Sequence, residues 1–264
     1  MMQPEQNSAD IQVLVSVGAH PKTARPRRSD QDARALELAL SLNAGKVNAL
    51  HAGNSDEHAL RQYLGMGCDS LTAIELPEGA DAVPALVSAL RQSKSNLVLC
   101  GGRAEQGESS GMVPYLVAES LGWSVVPRVA AIESRAGNEV VVLQALPRGQ
   151  RRKLSVKLPC LLCVDEAGPA ARQSAYGLAM RGDVATASAD IVMDEVASSW
   201  DKAPARKRAK RLKVVKATSA ADRFKAATAK QSGGGGKVIT PKTPEEGAAA
   251  ILAMLKEEGV LRQG

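Results

Sequence analysis

A chain of 264 residues with 44% hydrophobic content is long enough for one large domain with extensions, and no stretch approaches the run of about 20 apolar residues that a membrane span requires. Four cysteines make no disulfide framework, and 2% aromatic content means that a core must be built from Ala, Val and Leu. The formal charge of +6 gathers in residues 201 to 216, so it says little about the folded part, and the polar start MMQPEQNSAD lacks a signal peptide's apolar core, which predicts a cytoplasmic address, or an organelle matrix.

In chain order, residues 11 to 133 alternate strand and helix. Ile11 to Val17 reads as a strand and is followed by the basic loop GAHPKTARPRR. Ser29 with Asp32 then forms a capping pair for a helix that carries Leu36 and Leu40 and stops at Gly45. Strand Val47 to His51 and Gly53 come next, and Asn54 with Glu57 makes a second capping box, for a helix with Leu60, Tyr63 and Leu64 on one face. Strand Leu71 to Glu75, helix Ala82 to Leu90 and strand Leu97 to Cys100 continue the pattern. This order predicts an α/β fold with a mainly parallel sheet joined by right-handed crossovers. Beyond Trp123 the period changes to alternation. Residues 125–133, 139–146, 152–158 and 160–165 read as strands joined at RAGN and PRGQ turns, which predicts antiparallel strands extending the sheet.

The segment LVLCGGRAEQGESSGMVPYLV, residues 97 to 117, runs from an unbroken apolar strand through a glycine-rich loop into a helix. Gly101, Gly102 and Gly107 free the loop backbone, and Ser109 or Ser110 is placed to cap a helix carrying Val113, Leu116, Val117 and Leu121. A helix N-terminus offers free N–H groups and partial positive charge, so the unit reads as a phosphate cradle; an ordinary strand-to-helix turn is the other reading, because the full G-x-G-x-x-G and the P-loop lysine are absent.

The organisation expected is a nucleotide-binding domain over residues 1–182, a basic Ala/Ser/Gly-rich arm over 183–236 and a C-terminal partner-docking helix within 237–264. Eight of the sixteen residues from Asp201 to Lys216 are Lys or Arg, yet no aromatic residues interleave them, which argues against nucleic-acid binding and for a solvated linker. Thr243, Pro244 and Glu246 form a helix start, and Ala248, Ile251, Leu252 and Leu255 share one face that needs a surface to bury against.

Taken together, strand LVSV, loop CGGRA with its SSG helix start, strand LSVKLPCLLCVDE, segment ARQSAYGLAMRG and the ending TPEEGAAAILAMLKEEGVL resemble the beta subunit of electron transfer flavoprotein, over residues 11–182 and 237–261. The resemblance implies a three-layer sandwich like that of the adenine nucleotide alpha hydrolases. It also implies an obligate heterodimer with an alpha subunit that holds most of an FAD, and an AMP bound structurally in the beta subunit. Such a carrier is no enzyme; it takes electrons singly from a flavin-dependent dehydrogenase to a quinone oxidoreductase. A second FAD in place of AMP, or a stand-alone adenine-nucleotide module, are the alternatives.

Carried over by position, the nucleotide site falls on Ser16 at the end of the first strand, on Ser29, Asp30 and Gln31, on Ala52 beside Gly53, and on the loop Gly101 to Ser110. Within that loop the resemblance selects Gly101, Gly102, Arg103, Ala104, Gln106, Glu108, Ser109 and Ser110, although the run here is about two residues shorter than the family's. The family's aromatic residue near the flavin falls on Thr23, in a loop whose Lys22, Arg25, Arg27 and Arg28 offer positive charge to a flavin that gains an electron. Dehydrogenase docking falls on Tyr176, Gly177, Met180 and Arg181, with tyrosine in the place of the family's leucine.

No other chemistry is legible. Cys160 and Cys163 make a C-x-x-C inside a strand, where residues three apart point to opposite faces, and Cys68 and Cys100 supply no second pair for a metal. His20, His51 and His58 match no triad spacing.

Overall fold

The computed structural model describes residues 10–107, 109–201, 203, 205, 219–221, 224 and 239–257. The unbroken apolar runs become central parallel strands because both of their faces are covered. In chain order the elements are β1 (Ile11–Leu14), β2 (Val17–Ala19), β3 (Pro26–Arg28), α1 (Asp30–Ser41), β4 (Val47–Gly53), α2 (Arg61–Leu64), β5 (Ser70–Glu75), α3 (Ala82–Gln92) and β6 (Leu97–Gly101). They continue with α4 (Val113–Leu121), β7 (Ser124–Ala136), β8 (Glu139–Ala145), β9 (Arg151–Lys157), β10 (Cys160–Val164), α5 (Tyr176–Arg181), β11 (Val184–Ala187) and α6 (Glu195–Ser198).

One nine-stranded sheet has the order β11-β5-β4-β1-β6-β10-β7-β8-β9. All pairs are parallel as far as β7, and only β7·β8 and β8·β9 are antiparallel. One face packs Ile11, Val13, Leu97 and Leu99 against Leu36 of α1 and Tyr63 of α2. The other packs Leu14, Leu50, Val98 and Leu161 against Leu86 and Leu90 of α3 and Val117 of α4. The expected α/β three-layer arrangement is therefore present.

Two expectations change in detail. Of the four strands read as an antiparallel extension, β10 instead returns between β6 and β7 and runs parallel to both. Its sequence CLLCV is buried at every position, whereas β8 alternates buried and half-exposed residues along much of its length; that difference in pattern separates an interior strand from an outer one. The reading of residues 183 onward as an arm also differs. Val184–Ala187 pairs with β5, and beyond it Asp81 donates to Val192 O (2.7 Å) and Asp194 to Gly79 O (3.0 Å), so this compact unit runs to Asp201. The basic run expected between 201 and 216 lies, apart from Asp201, Ala203 and Ala205, outside the described residues.

In the second unit, Pro244–Glu257 is helical as expected. Glu246 N donates to Thr243 Oγ1 (3.3 Å) while Glu246 Oε2 accepts from Lys242 N (2.9 Å), a reciprocal start close to a capping box. Ile251, Leu252 and Met254 are exposed on it. No helix among the described residues is long and apolar enough to cross a membrane.

Candidate functional site

From β1 the chain steps outward to β4 and β5, then crosses back to β6 on the other side of β1. The carboxyl ends of β1 and β6 therefore splay apart at a topological switch point, where open α/β sheets bind ligands. A cavity of about 650 Å³ lies there, floored by the ends of β1, β4 and β6, walled by the loop after β6 and the start of α4, and rimmed by Asp194, Val196 and Trp200.

Its floor is held by a residue that the sequence reading placed as a cap. Ser29 precedes α1 but makes no side-chain cap, and Asp32 turns inward instead. One Asp32 oxygen accepts from Gly101 N (2.9 Å), and the other from Ser16 N (2.8 Å) and from Ser16 Oγ. The carboxyl thus ties α1 to the ends of β1 and β6. Burial pushes its pKa up, opposed by these hydrogen bonds. Gly101 has no room for a side chain because a Cβ would strike Asp32 Oδ1. Beside it, buried Tyr63 donates to Ser16 O (2.7 Å) and accepts from Ser29 N (2.9 Å); burial raises its pKa well above the usual phenol range.

Of the residues chosen from sequence, Ser16, Ala52 and Gly53 line the cavity floor, and Gly101, Arg103, Ala104, Gln106 and Ser109 line its wall. The others sit elsewhere. Ser29 is fully buried below, Asp30 N donates to Glu105 Oε1 (2.8 Å), and Gln31 Oε1 accepts from Gly102 N (3.0 Å), so these hold the loop from behind. Glu108 lies outside the described residues. Neither serine caps α4 as expected: α4 starts after Met112 with no side-chain cap. Ser109, at φ +53, donates its hydroxyl to Ala104 O (2.9 Å) and Gln106 O (3.3 Å), which folds the loop on itself, while Ser110 Oγ accepts from Met112 N (3.1 Å). Arg103 makes no ion pair among the described residues and stands at the cavity wall. His51, which spacing had passed over, lines the cavity with its ring fixed by Nδ1 on Val15 O (2.9 Å).

The basic loop is a hairpin, β2 with β3, rather than a plain loop. Arg27 is paired with Glu105 (2.9 Å) and Arg28 donates to Arg172 O (2.9 Å), which leaves Lys22 and Arg25 as exposed cations at the tip. Thr23 is at that tip, with its N–H on His20 Nδ1 (3.2 Å). The cysteines behave as expected from strand geometry: Cys160 belongs to one core and Cys163 to the other. Burial pushes Cys160 up to about 12, and the Cys163 sulfur 3.8 Å away, together with burial, holds Cys100 well above its usual value, so neither is a thiolate at neutral pH. No group of three metal-ligating side chains occurs among the described residues.

Away from the cavity, α5 presents Tyr176 at 78% exposure, with Leu178 and Met180 also exposed and only Ala179 buried. Gly177 and Arg181 are exposed on the same helix. Arg61 fixes it by donating to Ala179 O (3.3 Å) and Gly182 O (2.8 Å), a cation on the carbonyls of a helix end. Gly65 lies underneath, its carbonyl accepting from Ala175 N (2.8 Å). Its φ of −63 suits any residue, yet a Cβ would run into Ser174 Oγ and come within 3.0 Å of Ala175 O and 3.1 Å of Ala179 Cβ. Gly65→Ala should therefore lift the 174–182 segment at a cost of about 1–3 kcal/mol. Limited proteolysis is expected to cut the variant there faster than wild type; equal cutting rates would refute this.

Sequence comparison agrees with the geometry. The family described as electron transfer flavoprotein domain matches residues 27–222. The electron transfer flavoprotein subunit beta of Chromohalobacter salexigens is 53% identical, across 99% of this chain and 100% of its own. Protein FixA of Bradyrhizobium diazoefficiens is 30% identical over 57% of each chain, and the putative electron transfer flavoprotein subunit YgcR of Escherichia coli K12 is 25% identical over 64% of this chain and 66% of its own. A single family match over most of the chain, joined to near full-length identity with a beta subunit, places this protein in the electron transfer flavoprotein family, among its beta subunits.

Proposed function

We propose that this beta subunit binds AMP as a structural ligand in the switch-point cavity, pairs with an alpha subunit carrying FAD, and relays single electrons from a flavin-dependent dehydrogenase to a quinone oxidoreductase. The observation that carries the nucleotide reading is the cavity itself. At about 650 Å³, it is bounded by a loop wall bearing Arg103, which makes no ion pair among the described residues, and a helix start at one side, and by small residues Ala52 and Gly53 at the other. A monophosphate suits the wall, and a base suits the floor over β4.

FAD supplies the redox chemistry, accepting and releasing electrons one at a time. What this chain contributes is placement and charge. The β2–β3 hairpin projects Lys22 and Arg25 as cations toward whatever it meets, and α5 projects Tyr176, Leu178 and Met180 as an apolar contact. The fixed end of α5, pinned by Arg61 and Gly65, makes that contact a rigid one. The exposed apolar side chains of helix Pro244–Glu257 suit burial against the alpha subunit.

The test is the nucleotide content of the heterodimer. Denaturing the complex with its alpha subunit and identifying the released nucleotides by mass should give one FAD and one AMP per pair. Two FAD molecules, or no adenine nucleotide beyond one FAD, would overturn the AMP assignment.

A further inference from the structure

His51 is 7% exposed, and its Nδ1 sits 2.9 Å from Val15 O. A carbonyl oxygen can only accept, so Nδ1 carries the proton and Nε2 is left as a bare lone pair. Burial lowers the pKa of the ring, which keeps it neutral at pH 7. Among the described residues nothing donates to Nε2, although the ring lines the cavity. A lone pair that opens into a cavity and meets no protein donor is an acceptor that a ligand can use.

Two further features say which ligand group does so. At Gly53, where φ is +149, a Cβ would lie 2.9 Å from Nε2, so the missing side chain leaves the approach to the lone pair open. Moreover, β4 and β6 flank β1 on opposite sides, so two strand spacings, about 9.5 Å, separate the end of β4, which carries His51, from the end of β6, which leads into the Arg103 loop. That separation matches the distance in a nucleoside monophosphate from its phosphate to the far edge of its base. With phosphate at the loop, the group that reaches Nε2 is on the base.

We propose that His51 is the base-reading residue of this cavity, its Nε2 accepting a hydrogen bond from the exocyclic amine of a 6-aminopurine. The inference rests on the nucleotide reading above and specifies it. A 6-oxopurine places a carbonyl oxygen where the amine would be, so two acceptors face each other in a buried site. Ala52 and Gly53 let the base approach, and neither carries a side-chain donor or acceptor that would distinguish the two purines.

Calorimetric titration of the nucleotide-freed heterodimer with AMP and with IMP tests this. Wild type should prefer AMP by about 50-fold, the cost of one unpaired buried polar group expressed as an affinity ratio. His51→Phe, which keeps a ring and removes the acceptor, should bind AMP about as weakly as IMP. His51→Gln, whose amide offers either an acceptor or a donor, should bind both purines and blunt the preference. Equal binding of AMP and IMP by wild type would overturn the base-reading role while leaving the nucleotide site intact. So would a full AMP preference retained in His51→Phe. Failure of wild type to bind either nucleotide would overturn the site assignment itself. If His51→Phe does not fold, the wild-type comparison still decides.

Discussion

Asp32→Ala is expected to lower the unfolding free energy of the chain by about 3–5 kcal/mol, because it strands two backbone N–H groups, those of Ser16 and Gly101, and opens a void beneath the cavity. The carboxyl is an acceptor at both ends, and this makes the isosteric change informative as well. In Asp32→Asn one oxygen becomes an NH₂ group that must face either Gly101 N–H or Ser16 N–H, a donor against a donor. The loss should be smaller, about 1–3 kcal/mol. The sign of the pH dependence follows from burial, which raises the folded-state pKa of Asp32 above its unfolded value. Such a group contributes fully below the unfolded carboxylate pKa, and that contribution is lost as pH rises through the folded value. The stability gap between wild type and Asp32→Asn should therefore narrow as pH is raised across that window. Urea unfolding followed by circular dichroism measures all three. An Asp32→Ala loss under about 1 kcal/mol would mean that Ser16 and Gly101 are not held by this carboxyl.

Asp32 also shows where sequence reading reaches its limit. Ser29 and Asp32 fit a capping spacing, and local spacing cannot reveal that α1 begins directly over the ends of β1 and β6, where an inward carboxyl has better partners than its own helix. His51 is the same case in reverse: a lone histidine in an apolar strand carries no local signal, and its role depends on the β1 carbonyl beside it and on Gly53 two residues on. The strands themselves were legible because burial on both faces leaves an unbroken apolar run, as in LVLC and CLLCV. The order of those strands was less so. That β10 slots between β6 and β7 depends on a hairpin excursion through β8 and β9, and nothing within residues 125–165 fixes which neighbour a buried strand chooses. The glycine-rich loop was recognised, but the use of its hydroxyls was not, since Ser109 at positive φ spends its Oγ on the loop's own carbonyls. The role of the 190–200 segment in rimming the cavity was hidden for a similar reason: its tie to residues 79–81 is a tertiary pairing, not a periodic pattern.

Tyr176→Ala should reduce electron transfer from the cognate dehydrogenase by about 30-fold in kcat/KM, measured with the carrier subsaturating. The tyrosine begins a helix whose backbone is held by Arg61 and by Gly65, so its position is set before any partner arrives and little ordering entropy is lost on docking. At 78% exposure it buries almost nothing within its own chain, and truncation should leave unfolding stability within about 0.5 kcal/mol of wild type. A dehydrogenase that covers it would remove a large aromatic surface from water at the cost of only two side-chain torsions. Leu178 and Met180, exposed on the same helix, should each contribute less, because aromatic anchors dominate such contacts and smaller apolar neighbours mainly exclude water. Met180→Ala is accordingly the internal comparison: a several-fold smaller loss than Tyr176→Ala fits an anchor at 176. A rate unchanged by Tyr176→Ala would sink the docking role of α5, and equal losses at 176 and 180 would replace one anchor with a diffuse apolar face.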